Sequence, residues 1–418
     1  MSFKAHRADG PLAFPCASTP TAVHIGQQEI TPIAVVPAAP EPVAPAPVAS
    51  EAPPPAARSA AAVQRRMIKT SLSILAGQDA LAELRDGGLR PERIRNFVGA
   101  SGGPKWLVLH GLDRMLFPWL LKRTQAPLHV VGSSIGSWRA AALATRNPAQ
   151  ALEHLCDEYI EQRYSKKPTP REISAGGERI LSTTLGADGV APLVNHPRLR
   201  LHIVTARMRH IGAREGALQQ LGLGAAILFN ALDRRALGLS LERVVFDAGG
   251  DPGPFAPWQG LPTTHVPLTV HNALAALYAS AAIPAVMEGV RDPHGAPPGT
   301  YRDGGVADYH FGQEIDAPDG LTLYPHFYPH LVPGWFDKML PWRKTRGLKR
   351  TILIAPSAEH VASLPGGKIP DREDFVTMTD SERITAWRKV IALGEVMGHE
   401  LHSLLEGGRI AQVVQPLP

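Results

Sequence analysis

Cysteine is nearly missing: Cys16 and Cys156 are the only two in 418 residues. That excludes a disulfide framework and a cysteine-rich metal site, and it implies a reducing compartment. Aromatic residues make up only 6% of the chain. No dense basic run is interleaved with them, so the signature of a nucleic-acid groove is absent. A formal charge of +5 is small for this length and is compatible with an anionic surface as a partner. Long apolar runs are also lacking. The most apolar stretch, Asn272 to Val290, contains Pro284 and Glu288, is short for a membrane span, and reads as buried core. Residues 1–20 are broken by Pro11 and Pro15 and lack the continuous apolar centre of a secretory signal. The expected location is the cytoplasm, with at most peripheral membrane association.

What is present is the composition of a globular protein, 44% hydrophobic and 19% charged. Residues 1–66 stand apart. Val35 to Ala62 is a Pro/Ala tract without aromatics, too poor in buriable surface to order itself, so a disordered tail is expected there. Met67 opens the candidate folded unit. Leu72 to Leu75 alternates like a half-buried strand, and Asp79 is placed to cap a short helix ending at Gly87-Gly88. Arg95 to Val98 reads as a strand, followed by a helix carrying Leu109, Leu112, Leu116 and Trp119, with Pro118 at its fraying end. Arg198 to Thr205 alternates apolar with polar, as a strand with one wet face near a sheet edge would. Leu218 to Leu239 is an apolar helical region for which core packing is the default expectation. A final helix is expected from about Asp380 to Gly407-Gly408.

The chain is organised around Leu128 to Trp138, an apolar strand that runs into Gly132-Ser133-Ser134-Ile135-Gly136 and then a helix-forming run. Strand, Gly-x-Ser-x-Gly and helix in that order describe a nucleophile elbow with Ser134 at its tip. Gly132 and Gly136 fit because bulkier residues would collide at so tight a bend. Gly99-Ala100-Ser101-Gly102-Gly103 fits the same pattern. Electrostatics separates the two. Upstream of Ser134, Gly102, Gly103 and Lys105 open a helix whose free N–H groups can face an oxyanion. Upstream of Ser101 stands Asp79, whose carboxylate would oppose one. A base is available at Tyr301-Arg302-Asp303-Gly304-Gly305: Asp303 serves if it comes within hydrogen-bond reach of the serine and is partly desolvated.

A glycine loop with a basic residue, a Gly-x-Ser-x-Gly elbow further on, and a distal Asp-Gly-Gly resemble, in that order, the bacterial patatin-like phospholipases. Ala279-Ser280-Ala281-Ala282-Ile283-Pro284, ahead of the aspartate, is similar to that family as well, and the likeness spans roughly residues 94 to 315. The loop departs from the family in one respect. Ser101 precedes two glycines, and Pro104, which has no N–H to donate, precedes Lys105. The resemblance implies a three-layer α/β/α fold with a mostly parallel central sheet. With Met67 opening the folded unit, a catalytic domain is expected at 67–315 and a helical C-terminal extension at 316–418 packed on it. The resemblance also implies a Ser134–Asp303 dyad that hydrolyses acyl esters of lipids, with Gly102, Gly103 and Lys105 in the oxyanion loop, Gly304 and Gly305 at the aspartate turn, and neither metal nor cofactor. One alternative is an esterase with a Ser-Asp-His triad, completed by His310 or His326. Another is a catalytically silent lipid-binding protein. Trp335, Trp342, Arg343 and Lys344 combine rings with cations, which suits a peripheral membrane contact. His399-Glu400-Leu401-His402 has the wrong spacing for a zinc helix and reads as a solvated face.

Overall fold

A computed structural model of the chain describes residues 70–418 apart from 256–257, 259, 312–319, 341 and 346–347. The expected tail and Cys16 lie outside the described residues. The strands are β1 Leu72–Ala76, β2 Ile94–Gly99, β3 Leu128–Ser133, β4 Leu199–Met208, β5 Leu241–Ala248, β6 Thr263–Leu268, β7 Val290–Arg291, β8 Thr300–Asp303, β9 Leu321–Pro325, β10 Thr351–Pro356 and β11 Gln415–Pro416. They form one sheet in the order β11-β1-β10-β9-β2-β3-β4-β5-β6, with β8 paired to β4 and β7 to β8. The run β10-β9-β2-β3-β4 is parallel throughout. Helices cover both faces, giving the mostly parallel three-layer α/β/α architecture. The inner strands are buried almost throughout and mainly apolar, with Asn96 of β2 and Glu242, Arg243 and Asp247 of β5 among the buried polar exceptions.

Two details of the sheet differ from the sequence pattern. β4 is not an edge strand with a wet face, since it pairs with β3, β5 and β8. Arg200 and Arg207 stay partly exposed, but His202 and Thr205 are buried because they find partners: His202 Nδ1 lies 2.6 Å from Asp247 Oδ1, His202 Nε2 lies 3.0 Å from His129 Nδ1, and Thr205 Oγ1 donates to the Val244 carbonyl at 2.9 Å. Alternation therefore signals a wet face only where buried partners are lacking. β9 and β10, from the C-terminal region, sit in the middle of the sheet between β1 and β2.

Among the helices, His110–Arg123 runs straight through Pro118 instead of fraying there. The first helix, Gln78–Gly87, is capped by Gly77, with Asp79 in its first turn. The elbow helix Ile135–Leu143 starts directly after Ser134, and Asn147 caps the next helix, Pro148–Ile160. The C-terminal helix Asp380–Glu406 has the sequence signature of its start, a capping box of Thr379 and Glu382. It lies against His110–Arg123 at glycine contacts: a Cβ on Gly111 would sit 2.5 Å from the Gly394 carbonyl oxygen. The helix Ala217–Leu232 departs most from expectation. Core packing is the default expectation, yet only Leu223 of its leucines packs inward, and Leu218, Leu221, Leu228 and Leu232 are exposed. No helix among the described residues is long and apolar enough to cross a membrane.

Candidate active site

Ser134 is the residue between β3 and the elbow helix, and its backbone is strained, with φ 52° and ψ −132°. A non-glycine residue in that region costs about 1–3 kcal/mol and persists only where its surroundings impose it. The surroundings here are glycines. A Cβ on Gly132 would lie 2.7 Å from the backbone of Gly136, and one on Gly136 would overlap the Gly99 carbonyl of β2. The helix can therefore press down on the strand ends only because these three positions are bare. The Ser134 amide donates to Ser280 Oγ at 3.0 Å, and Ser280 in turn donates to the Val204 carbonyl at 2.7 Å. Ser280 thus ties the elbow backbone to β4.

Asp303 ends β8. The register of β4 explains how it meets the serine: Ser133 pairs with Val204, and Asp303 pairs with the next residue, Thr205. Two segments far apart in the chain are brought to adjacent positions of one strand. Ser134 Oγ donates to Asp303 Oδ2 at 2.7 Å, and the Gly305 amide donates to Asp303 Oδ1 at 2.7 Å. Gly304 is bare because a Cβ there would strike the Val204 carbonyl. Both side chains are buried. Burial pushes the Asp303 carboxyl above the ordinary aspartate range, against the opposing pull of Arg372, Ser134 and the Gly305 amide.

The second Gly-x-Ser-x-Gly serine has no such partner. Ser101 Oγ lies 2.6 Å from Ser133 Oγ, which donates to the Asp308 carbonyl at 2.9 Å. Nor does a histidine reach the dyad. The Nδ1 of His310 accepts from the Val332 amide, and that of His326 faces the Tyr328 backbone. Neither histidine is hydrogen-bonded to Ser134 or Asp303.

Around the glycine loop, the amides of Gly102 and Gly103 donate to no other group among the described residues. Lys105 is occupied twice over. Its amide donates to the Gly102 carbonyl at 3.4 Å, and its ammonium is ion-paired with Asp371. The charge foreseen for an oxyanion at Lys105 is therefore spent on the C-terminal region. The neighbour of that aspartate supplies another cation. Arg372 is half-buried, its guanidinium has no hydrogen-bond or ion-pair partner among the described residues, and it lines a small pocket with Asp303 and Ser101. Its Nε lies 3.1 Å from where a Cβ of Gly103 would stand, and the Tyr159 hydroxyl lies 3.6 Å from the same point. Ile283, Pro284, Val306 and Trp335 give this pocket apolar walls.

Of the residues foreseen for membrane contact, Trp335 thus lines the pocket, and Arg343 Nη1 is bonded to Asp337 Oδ1 at 2.9 Å. Only Trp342 and Lys344 project into solvent. Sequence reasoning missed Arg372 and Tyr159. Arg372 lies in a charged stretch, Asp371-Arg372-Glu373-Asp374, that looks like any solvated loop, and Tyr159 lies on the inner face of an ordinary amphipathic helix. No group of histidine, cysteine and acidic residues suited to a metal occurs among the described residues.

Fold and site together define an α/β/α protein with a strained elbow serine in direct contact with a buried carboxylate. Residues 107–310 match the family model for patatin-like phospholipases, and this part of the chain is a patatin-like domain. Lipid acyl hydrolysis is the general activity of that family. No curated protein matches the chain. Among solved structures, VipD from Legionella pneumophila is 12% identical over 61% of this chain and 53% of its own, with a TM-score of 0.28. A cyclo(L-leucyl-L-phenylalanyl) synthase is 13% identical over 69% of this chain and 99% of its own, with a TM-score of 0.19.

Proposed function

We propose that the protein is a lipid acyl hydrolase that works through a Ser134–Asp303 dyad. Ser134 Oγ attacks the acyl carbonyl while Asp303 takes its proton. The bond to the leaving alcohol then breaks as that proton is returned to the alcohol oxygen. Water next attacks the acyl-enzyme carbon, giving a proton to Asp303, and the acid departs as Ser134 recovers its hydroxyl. The tetrahedral oxyanion is held by the amides of Gly102 and Gly103, with Lys105 serving the loop through its bond to Asp371. Gly132, Gly136, Gly304 and Gly305 shape the two turns. Residues 67–315 form the catalytic unit, and 316–418 complete its sheet and deliver Arg372. The enzyme acts in the cytoplasm at a lipid surface, which Trp342 and Lys344 help to reach.

The 2.7 Å hydrogen bond between Ser134 Oγ and Asp303 Oδ2, at a serine held in strained backbone, is the observation that supports this reading. A relaxed serine beside a solvated acid would be an ordinary turn. Fluorophosphonate labelling tests it. Wild type should label, and Ser134→Ala should not. Mass spectrometry of a mixed lipid extract should then show fatty acid released only by wild type. Equal labelling of both proteins, or release that survives Ser134→Ala, removes Ser134 from the role.

A further inference from the structure

The helix Ala217–Leu232 is built inside out. Its inner face carries Gln219, Gly222, Ala226 and Asn230, two of them polar. Its outer face carries Leu218, Leu221, Ile227, Leu228 and Leu232, which are 49%, 64%, 50%, 60% and 75% exposed. A surface helix of a water-soluble domain normally shows the reverse arrangement. Scattered apolar residues on a surface are ordinary, but a continuous stripe along one helix marks a contact surface. From Ala217 to Leu232 the helix has no charged residue at all. The stripe continues beyond it at Leu239, and Met339 and Trp342 are exposed in the segment docked on its C-terminal half.

The buried polar residues explain why the helix is held this way round. Gln219 Oε1 accepts from the Ala285 amide at 2.8 Å, just after Ile283 and Pro284. Asn230 Nδ2 donates to Asp337 Oδ1 at 2.7 Å, in the segment that begins with Trp335. Ile283, Pro284 and Trp335 are walls of the pocket that contains Asp303. The inner face is therefore pinned by hydrogen bonds to two segments that also wall the pocket, and four of the five leucines are left outside.

We infer that the outer face of Ala217–Leu232 is the surface by which the protein docks on an anionic lipid bilayer, with the pocket mouth brought to the lipid beside it. The proposal rests on the lipid-hydrolase reading for its meaning but not for its test. Charge selects the occupant. Arg214 precedes the helix, Arg235 follows it, and Lys344 lies beyond the docked segment. All three are exposed and have no ion-pair partner among the described residues; of the acids beside them, Glu215 is ion-paired with Arg302, and only the exposed Asp233, which caps the next turn, is left, so unpaired cations are in excess. A second copy would bring the same excess of cations, whereas anionic headgroups neutralise it. Leucines inserted at the headgroup–acyl boundary under a cationic rim are the pattern of an interfacial helix.

The test uses the full chain carrying Ser134→Ala, so that lipid is not consumed, and phosphatidylglycerol/phosphatidylcholine vesicles in a flotation assay. The chain should float with these vesicles and bind pure phosphatidylcholine at least about tenfold less, because the rim cations lose their partners. Adding Leu221→Glu and Leu228→Glu should reduce flotation by at least about a hundredfold with an unchanged melting temperature, since both side chains are exposed. In a Cys16→Ser/Leu228→Cys variant, a bimane label should shift to the blue when vesicles are added. Undiminished flotation of the double variant, or absence of flotation from the start, overturns the proposal. So does a label already blue-shifted without vesicles, which means that the face is covered by another copy or by the chain's own residues. Absence of flotation by the Ser134→Ala chain with its leucines intact, together with Ser134-dependent ester hydrolysis by wild type, sinks the docking face alone. Flotation without any hydrolysis sinks the hydrolase reading alone.

Discussion

Ser134 and Asp303 each hold a conformation or a charge that the fold disfavours. The serine sits in strained backbone, and the aspartate is buried where its ionised form is poorly solvated. Arg372 compensates in part, because its guanidinium favours the carboxylate. Asp303 must be ionised to accept a proton, so activity rises with pH through its raised pKa. Replacing Arg372 with leucine removes the opposing charge and raises that pKa further. The acid limb of the kcat/KM profile should then move to higher pH, and a limb that stays in place would show that Arg372 does not act on Asp303. Asp303→Asn should reduce turnover by about 10²–10⁴-fold, the usual range for a general base. It should also stabilise the protein at pH 7. The cost of burying the carboxylate is absent below the unfolded-state value and accrues as pH rises through the raised folded value. Thermal melts from pH 4 to pH 8 should show the variant's advantage growing with pH; a constant difference would contradict this account.

At the scale of elements, the glycines decide how closely segments approach. Gly111 of the helix His110–Arg123 faces Gly394 and Gly398 of the C-terminal helix, and a Cβ on Gly398 would lie 2.5 Å from the Gly111 carbonyl oxygen. The obstacle is backbone in each direction, which cannot rotate away. Gly111→Val should therefore destabilise the fold by about 1–3 kcal/mol, the range for overpacking, read as a melting temperature several degrees lower. An unchanged melt would mean that the two helices are not in this contact. The same pair of helices matters for the site, since the segment leading into the C-terminal helix carries both Asp371, paired with Lys105, and Arg372.

For the whole molecule, acid should be the main threat to stability before the carboxylates themselves titrate. His310 and His326 are fully buried. Burial, with neighbouring cationic groups, holds His310 well below the usual histidine range and takes His326 down to about 3. Each is neutral when folded and free to charge when unfolded. Their contribution is fully present above the unfolded value of about 6.5 and is lost as pH falls below it, at about 1.4 kcal/mol per pH unit per histidine. Urea titrations between pH 6.5 and pH 4.5 should show that decline, and His326→Gln should make it shallower. A stability flat across this window would show that the two rings are protonated in the folded state.

The amino-acid sequence by itself determined the local geometry: which serine stands on an elbow, where the strands and the long helices run, and which aspartate is followed by a turn. Those features depend on residues within a few positions of one another, through sterics at Gly132 and Gly136, capping at Thr379 and apolar periodicity. Only the tertiary structure decided that Ser134 and Asp303 meet, because their contact depends on β3 and β8 pairing with consecutive residues of β4, Val204 and Thr205. The same holds for the pairing of Lys105 with Asp371, the arrival of Arg372 at the pocket and the burial of β4. Periodicity could mark Ala217–Leu232 as having an apolar face but not the direction in which it points. That direction was set by two buried amides, Gln219 and Asn230, whose partners lie far away in the chain.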